Sequence, residues 1–112
     1  MPQDLAVLDR EIAVKHVSGN VKLADDLLVM FIKELPDYQQ IIKKEHLDQN
    51  KDELRNIIHK IHGGLRYLGA PALMDIISKT DYSIFELSDE QLKNNIEKIN
   101  CEIARVIKAN RY

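Results

Sequence analysis

Apolar residues recur in steps of three and four through most of this chain, and nowhere do they alternate with polar ones. Steps of three and four put side chains on one face of an α-helix, whereas a half-buried strand needs a step of two. The chain therefore reads as a set of amphipathic helices. A short first helix is expected over about Asp9 to Val17, stopped by Ser18-Gly19-Asn20. A long second helix starts near Asn20 with the stripe Leu23, Leu27, Met30, Phe31, Leu35, Tyr38, Ile41 and Ile42. Pro36 interrupts that stripe and predicts a kink. His46 to Asn50 reads as a polar turn.

The third helix opens on Asn50 with Glu53 three residues on, a capping-box pattern. Its stripe is Leu54, Ile57, Ile58, Ile61, Leu65 and Leu68, and Gly69 with Pro71 punctuates the turn that follows. The fourth carries Leu73, Ile76, Ile77, Thr80, Ile84 and Leu87. Ser88 with Gln91 makes a second capping box before Leu92, Ile96, Ile99, Ile103, Val106 and Ile107. Four substantial amphipathic helices on short connections predict an all-α fold: an antiparallel four-helix bundle, with the short N-terminal helix covering one end. The 112 residues suit a single domain, residues 1–112.

Composition narrows the function classes. A net charge of -2 gives no general attraction to nucleic acid or to an anionic membrane. There is no run of about 18 apolar residues, so no direct membrane contact is expected. Cys101 is the only cysteine, which precludes an internal disulfide or a cysteine-based zinc cluster and fits a cytoplasmic setting. Glycine-rich phosphate loops and acidic nucleotide-metal clusters are lacking, so no cofactor of its own and no ATP site is expected.

One segment stands apart: His59-Lys60-Ile61-His62-Gly63-Gly64-Leu65-Arg66-Tyr67-Leu68-Gly69. It has helical periodicity yet holds two adjacent glycines, each costing about 1 kcal/mol relative to alanine inside a helix. Bare backbone there predicts that a bulky partner must come close. At about 100° per residue, His59 points roughly 140° from the centre of the apolar stripe and His62 roughly 80°. Arg55 and Gly63 lie one turn either side of His59, with His62 and Arg66 on the same flank. An exposed imidazole with guanidinium neighbours and a gap beside it suits phosphoryl transfer. Neutral imidazole is a competent nucleophile near pH 7, and arginine forks match phosphate oxygens.

The segment resembles the histidine-containing phosphotransfer (HPt) family. That family's motif is His, an aliphatic residue at +2, Gly at +4, an aliphatic at +9, Gly at +10 and an aliphatic at +14. His59, Ile61, Gly63, Leu68, Gly69 and Leu73 all match. Leu8-Asp9, Phe31 to Pro36 and Leu68-Gly69-Ala70-Pro71 are also similar to family members, so the likeness covers nearly the whole chain. The His-Lys-Ile-His-Gly form looks like the HPt domain at the C-terminus of BarA/GacS-type hybrid sensor kinases. The resemblance implies that His59 is phosphorylated. It also implies that His62, standing where many members carry Lys, contacts the phosphoryl group. Many members place Gln at +22, bonded to the active histidine. Asp81 stands there, either accepting the Nδ1 proton of His59 or lying solvated on its helix flank.

The implied function is that of a phosphorelay intermediate in two-component signalling. It would take a phosphoryl group from the receiver domain of a hybrid sensor kinase and pass it to a response-regulator receiver, with Mg2+ expected in the partner. The isolated domain is expected to be a monomer, and any parent kinase to be anchored in the inner membrane. Whether the chain counts as an enzyme depends on that parent. Two other readings remain: a non-catalytic adaptor or dimerisation bundle, and a metal-binding bundle through His59 and His62. Zinc usually needs three or four protein ligands, which weighs against the second.

Overall fold

The computed structural model describes residues 5–110. Five helices follow in order: α1 (Arg10–His16), α2 (Val21–Leu47), α3 (Lys51–Leu65), α4 (Pro71–Ser83) and α5 (Asp89–Ala109). Helices α2 to α5 pack each against the next, and α2 closes the ring against α5, while α1 lies on α2. This is the expected antiparallel four-helix bundle with a short extra N-terminal helix.

The helix starts are set by side-chain caps. Asp9 accepts from the Ile12 amide at 3.1 Å, Asn20 from Leu23 at 3.0 Å and Asn50 from Glu53 at 3.2 Å. Ser88 and Gln91 form the full reciprocal capping box of α5. Each cap satisfies a backbone donor that has no partner inside its helix. Helix α4 lacks a side-chain cap and opens on Pro71. Its orphan Ala72 amide instead donates to the Ala6 carbonyl at 3.1 Å, and the Asp9 amide returns a bond to the Gly69 carbonyl at 2.6 Å. The segment before α1 is thus stitched to the α3–α4 turn. Glycine is required at 69 for this reason, since a Cβ there would land on the Asp9 carbonyl.

The core is aliphatic. Leu35, Ile42, Ile58, Ile61, Leu73, Ile77, Ile99 and Ile103 have no measurable exposure. The stripes of α3 and α5 are buried as expected, apart from half-buried Ile107. That of α2 is not. Leu23, Met30 and Ile41 are exposed, and small Ala24 is buried in place of Leu23. The buried set Ala24, Phe31, Leu35, Tyr38 and Ile42 defines a narrower line along this 27-residue helix. Helix α2 is one element through Pro36, and it extends to Leu47, so the turn is shorter than the sequence indicated. Helix α3 ends at Leu65, leaving Leu68 buried in the turn after it. Helix α4 ends at Ser83, leaving Leu87 half-buried beyond it.

Candidate functional site

The site is built on the facing flanks of α3 and α4. His59 lies in the middle of α3 with its side chain 54% exposed. Its Nδ1 is 2.8 Å from Oδ2 of Asp81, which projects from α4. The Asp81 side chain is only 3% exposed, so the carboxylate lies behind the imidazole rather than in solvent. The same Oδ2 is 2.7 Å from Nδ1 of His62. An ionised carboxylate only accepts, so both imidazoles donate from Nδ1. The two nitrogens share one oxygen, and each neutral ring keeps its lone pair on Nε2.

Burial alone would raise the Asp81 carboxyl, but the hydrogen bonds from His62 and then His59 outweigh it, holding its pKa below the ordinary value. Oδ1 is buried without a hydrogen bond, and Arg55 Nε stands 3.6 Å from it. A carboxyl with a lowered folded-state pKa adds stability that is complete above its unfolded value. That contribution fades as pH falls through the lower folded value. Asp81→Asn should therefore destabilise the bundle fully above about pH 5 and progressively less below about pH 4. Urea midpoints of the two chains across pH 3–7 check this. A gap that does not narrow in acid would show that Asp81 contributes nothing as an anion.

Of the residues expected at the site, the structure brings His59, His62, Asp81 and Arg55 together. Asp81 is buried and bonded, not solvated. His62, expected at the boundary, is almost wholly covered, with its side chain 4% exposed and its ring edge-on to Tyr82 at 5.4 Å between centroids. The packing of α4 widens the covered arc of α3 past the 80° at which His62 stands. Its Nδ1 faces the carboxylate, not the solvent side where a phosphoryl group would sit. Arg55 likewise leans to Asp81. Arg66 is exposed at the C-cap of α3, beyond the last helical residue.

The two glycines do different things. A Cβ on Gly63 would meet nothing within 4 Å, which leaves open space one turn from His59. A Cβ on Gly64 would lie 3.2 Å from a ring carbon of Phe31, so Gly64 serves the close packing of α3 on α2. The expectation that both keep backbone bare for a partner therefore holds only in geometry at Gly63. Tyr82 at the end of α4, whose ring packs against His62, and Phe85 just beyond that end are exposed aromatic rings. The apolar stripes did not mark these aromatics.

His59, His62 and Asp81 offer ligand atoms within 4.8 Å of one another, a possible three-ligand metal set. The two N–O separations of 2.7 and 2.8 Å are hydrogen-bond lengths with a proton between the atoms. Ligands around a tetrahedral zinc would stand about 3.3 Å apart. The cluster is thus accounted for without an ion. No helix among the described residues is long and apolar enough to cross a membrane.

A helical bundle that presents one half-exposed imidazole, backed by a buried carboxylate and opened by a glycine, defines a class that sequence comparison resolves. The sequence profile of the Hpt domain matches residues 26–102, well over half of the chain, and the chain belongs to the Hpt domain family. Among curated proteins it is similar to the signal transduction histidine-protein kinase BarA of Escherichia coli K12, with 27% identity over 97 residues. It is also similar to the sensor histidine kinase GacS of Pseudomonas protegens, with 24% identity over 103 residues. These alignments cover 87% and 92% of this chain but 10% and 11% of those kinases, so the chain spans about a tenth of their length. A crystal structure of the HPT domain of a hybrid histidine kinase from Shewanella shares the fold. Its TM-score is 0.85 at 21% identity, over 92% of this chain and 89% of that one.

Proposed function

We propose that this chain carries phosphoryl groups between receiver domains, with His59 as the acceptor. Histidine phosphotransfer in two-component phosphorelays is the activity of the Hpt family to which the chain belongs. One observation carries the assignment of the residue. His59 donates Nδ1–H to a buried carboxylate at 2.8 Å, while one turn away Gly63 leaves open space. The bond fixes the tautomer with the lone pair on Nε2, the exposed nucleophile.

In the transfer, Nε2 attacks the phosphorus of a receiver's aspartyl phosphate, and the P–O bond to the donor carboxyl breaks. The bonding pair leaves with that carboxylate. The Nδ1 proton stays on His59, and the positive charge that the ring gains on phosphorylation faces Asp81. The phosphohistidine then reacts in the opposite sense with an aspartate of a second receiver. The energy comes from the acyl phosphate, so the carrier needs no ATP. The divalent cation, expected as Mg2+, belongs to the receiver. Exposed Arg66, and Arg55 when it swings outward, would steady the phosphoryl oxygens, each weakly because the open site is screened.

This reading places the domain in the cytoplasm, as a monomer. It would serve a receiver of a hybrid sensor kinase on one side and a response regulator on the other, with the kinase held in the inner membrane. Incubation with phosphorylated receivers should leave an acid-labile phosphoryl group on this chain. A chain that stays unlabelled by every receiver of its own cell would sink the proposal in favour of an adaptor bundle.

Gly63 supplies a separate check. Gly63→Ala should stabilise α3 by about 0.5–1 kcal/mol, because alanine orders at lower entropic cost and its Cβ meets nothing. Gly63→Leu should keep the fold but slow transfer by obstructing the approach to His59. Equal transfer rates for the leucine variant and the original chain would remove the access argument.

A further inference from the structure

We propose that His62 is a positioning residue: its Nδ1–H pins Asp81 Oδ2 against His59 Nδ1, so that His59 presents Nε2 outward. The inference rests on the carrier reading above and departs from the direct phosphoryl contact that the sequence position of His62 implied. A carboxylate held by His59 alone would be free to turn about its Cβ–Cγ bond. No hydrogen bond holds Oδ1, whose one charged neighbour is the Arg55 guanidinium, 41% exposed and, at 3.6 Å, too far for a directional bond. His59 is half exposed and cannot serve as an anchor. His62 can. Its side chain is 4% exposed, its ring stands at 84° to that of Tyr82, and it meets the His59 ring edge-on at 89°.

The chain of restraint therefore runs from the packed ring of His62, through one shared oxygen, to the half-exposed ring of His59. At metal sites, groups that orient an imidazole through its second nitrogen commonly change affinity or activity by 10–100-fold when lost, and the same orienting geometry here sets the expected scale. His59 of α3 and Asp81 and Tyr82 of α4 are the titratable groups in contact with His62, and Arg55 lies behind them against Asp81. Among them only Asp81 accepts its proton.

The test combines nitrogen-15 NMR of the imidazole rings with transfer rates from a phosphorylated receiver. In the original chain His59 and His62 should both be Nδ1–H tautomers. His62→Phe keeps a ring but removes the donor. It should shift His59 toward the Nε2–H form and slow transfer about tenfold. His62→Asn, whose side-chain amide can donate from near the place of Nδ1, should recover the His59 tautomer and most of the rate. A slower His62→Phe with an unmoved His59 tautomer would mean direct contact with the phosphoryl group and overturn the proposal. So would a variant unchanged in both measures. If His62→Phe fails to fold, the original chain still decides, since an Nε2–H tautomer at His62 overturns the proposal. The carrier reading fails on a different result, a phosphoryl label that does not reside on His59.

Discussion

His59→Gln should take up no phosphoryl group from any phosphorylated receiver, while its helix content and urea midpoint stay close to those of the original chain. The loss is complete because an amide has no nitrogen lone pair able to form the phosphoryl bond. The fold survives because His59 is half exposed and the carboxylate behind it keeps a second donor in His62. The change in stability should stay under about 1 kcal/mol, as for one partly exposed hydrogen bond. Radiolabel transfer followed by acid treatment checks the first part, and denaturant unfolding the second. Uptake by His59→Gln together with loss in His62→Gln would move the acceptor to His62. It would also require Nε2 of a nearly covered ring to reach the donor.

The largest structural effect is expected at Gly69. Gly69→Val would drive a side chain into the Asp9 carbonyl, and the amide of Ala13 stands 3.0 Å from where the Cβ would lie. These are backbone atoms that cannot swing aside as a flexible side chain can. Relief means breaking the Asp9–Gly69 bond and lifting the segment before α1 off the start of α4. Overpacking of this kind costs about 1–3 kcal/mol, which for a domain of this size lowers Tm by about 5–15 °C. Thermal unfolding followed by circular dichroism measures it. A melting point within about 2 °C of the original would show that the segment before α1 contributes nothing to the bundle. Because Gly69 lies beyond the end of α3, the folded fraction should still accept phosphate at His59.

The bundle was legible because α3 and α5 carry unbroken apolar stripes and every helix but α4 starts on a polar cap. At Asp9, Asn20, Asn50 and Ser88 the capping residue could be read directly from the chain. Helix α2 was read too broadly. Leu23, Met30 and Ile41 sit at helical spacing but fall outside the narrow line that faces α3 and α5, and Ala24 is too small to register as core. The start of α4 was opaque for another reason, since its donor is capped by a carbonyl 66 residues earlier (Ala72 to Ala6) and no local pattern encodes that.

The site was half legible. His59 announced itself by its place opposite the stripe and by the gap at Gly63. Asp81 did not, because pattern reading puts an aspartate in water unless a partner is known. Only its place 22 residues after His59 pointed to it. The burial of His62 follows from the approach of α4, which the periodicity of α3 alone does not contain. Gly69 was read as a turn glycine, but its close approach to the Asp9 carbonyl was not, and spacing gave no means of separating the packing glycine Gly64 from Gly63.

A single outward nitrogen on one helix face has a kinetic consequence. Donor and recipient must visit that nitrogen one after the other, because a single lone pair can face only one phosphoryl centre at a time. Transfer should then follow ping-pong kinetics, with parallel double-reciprocal lines at different recipient concentrations. A large pool of unphosphorylated donor would act as a dead-end competitor and also draw phosphate backwards. The direction of signal flow would then be decided by the relative abundance and phosphorylation of the two partners, not by a conformational change in the carrier.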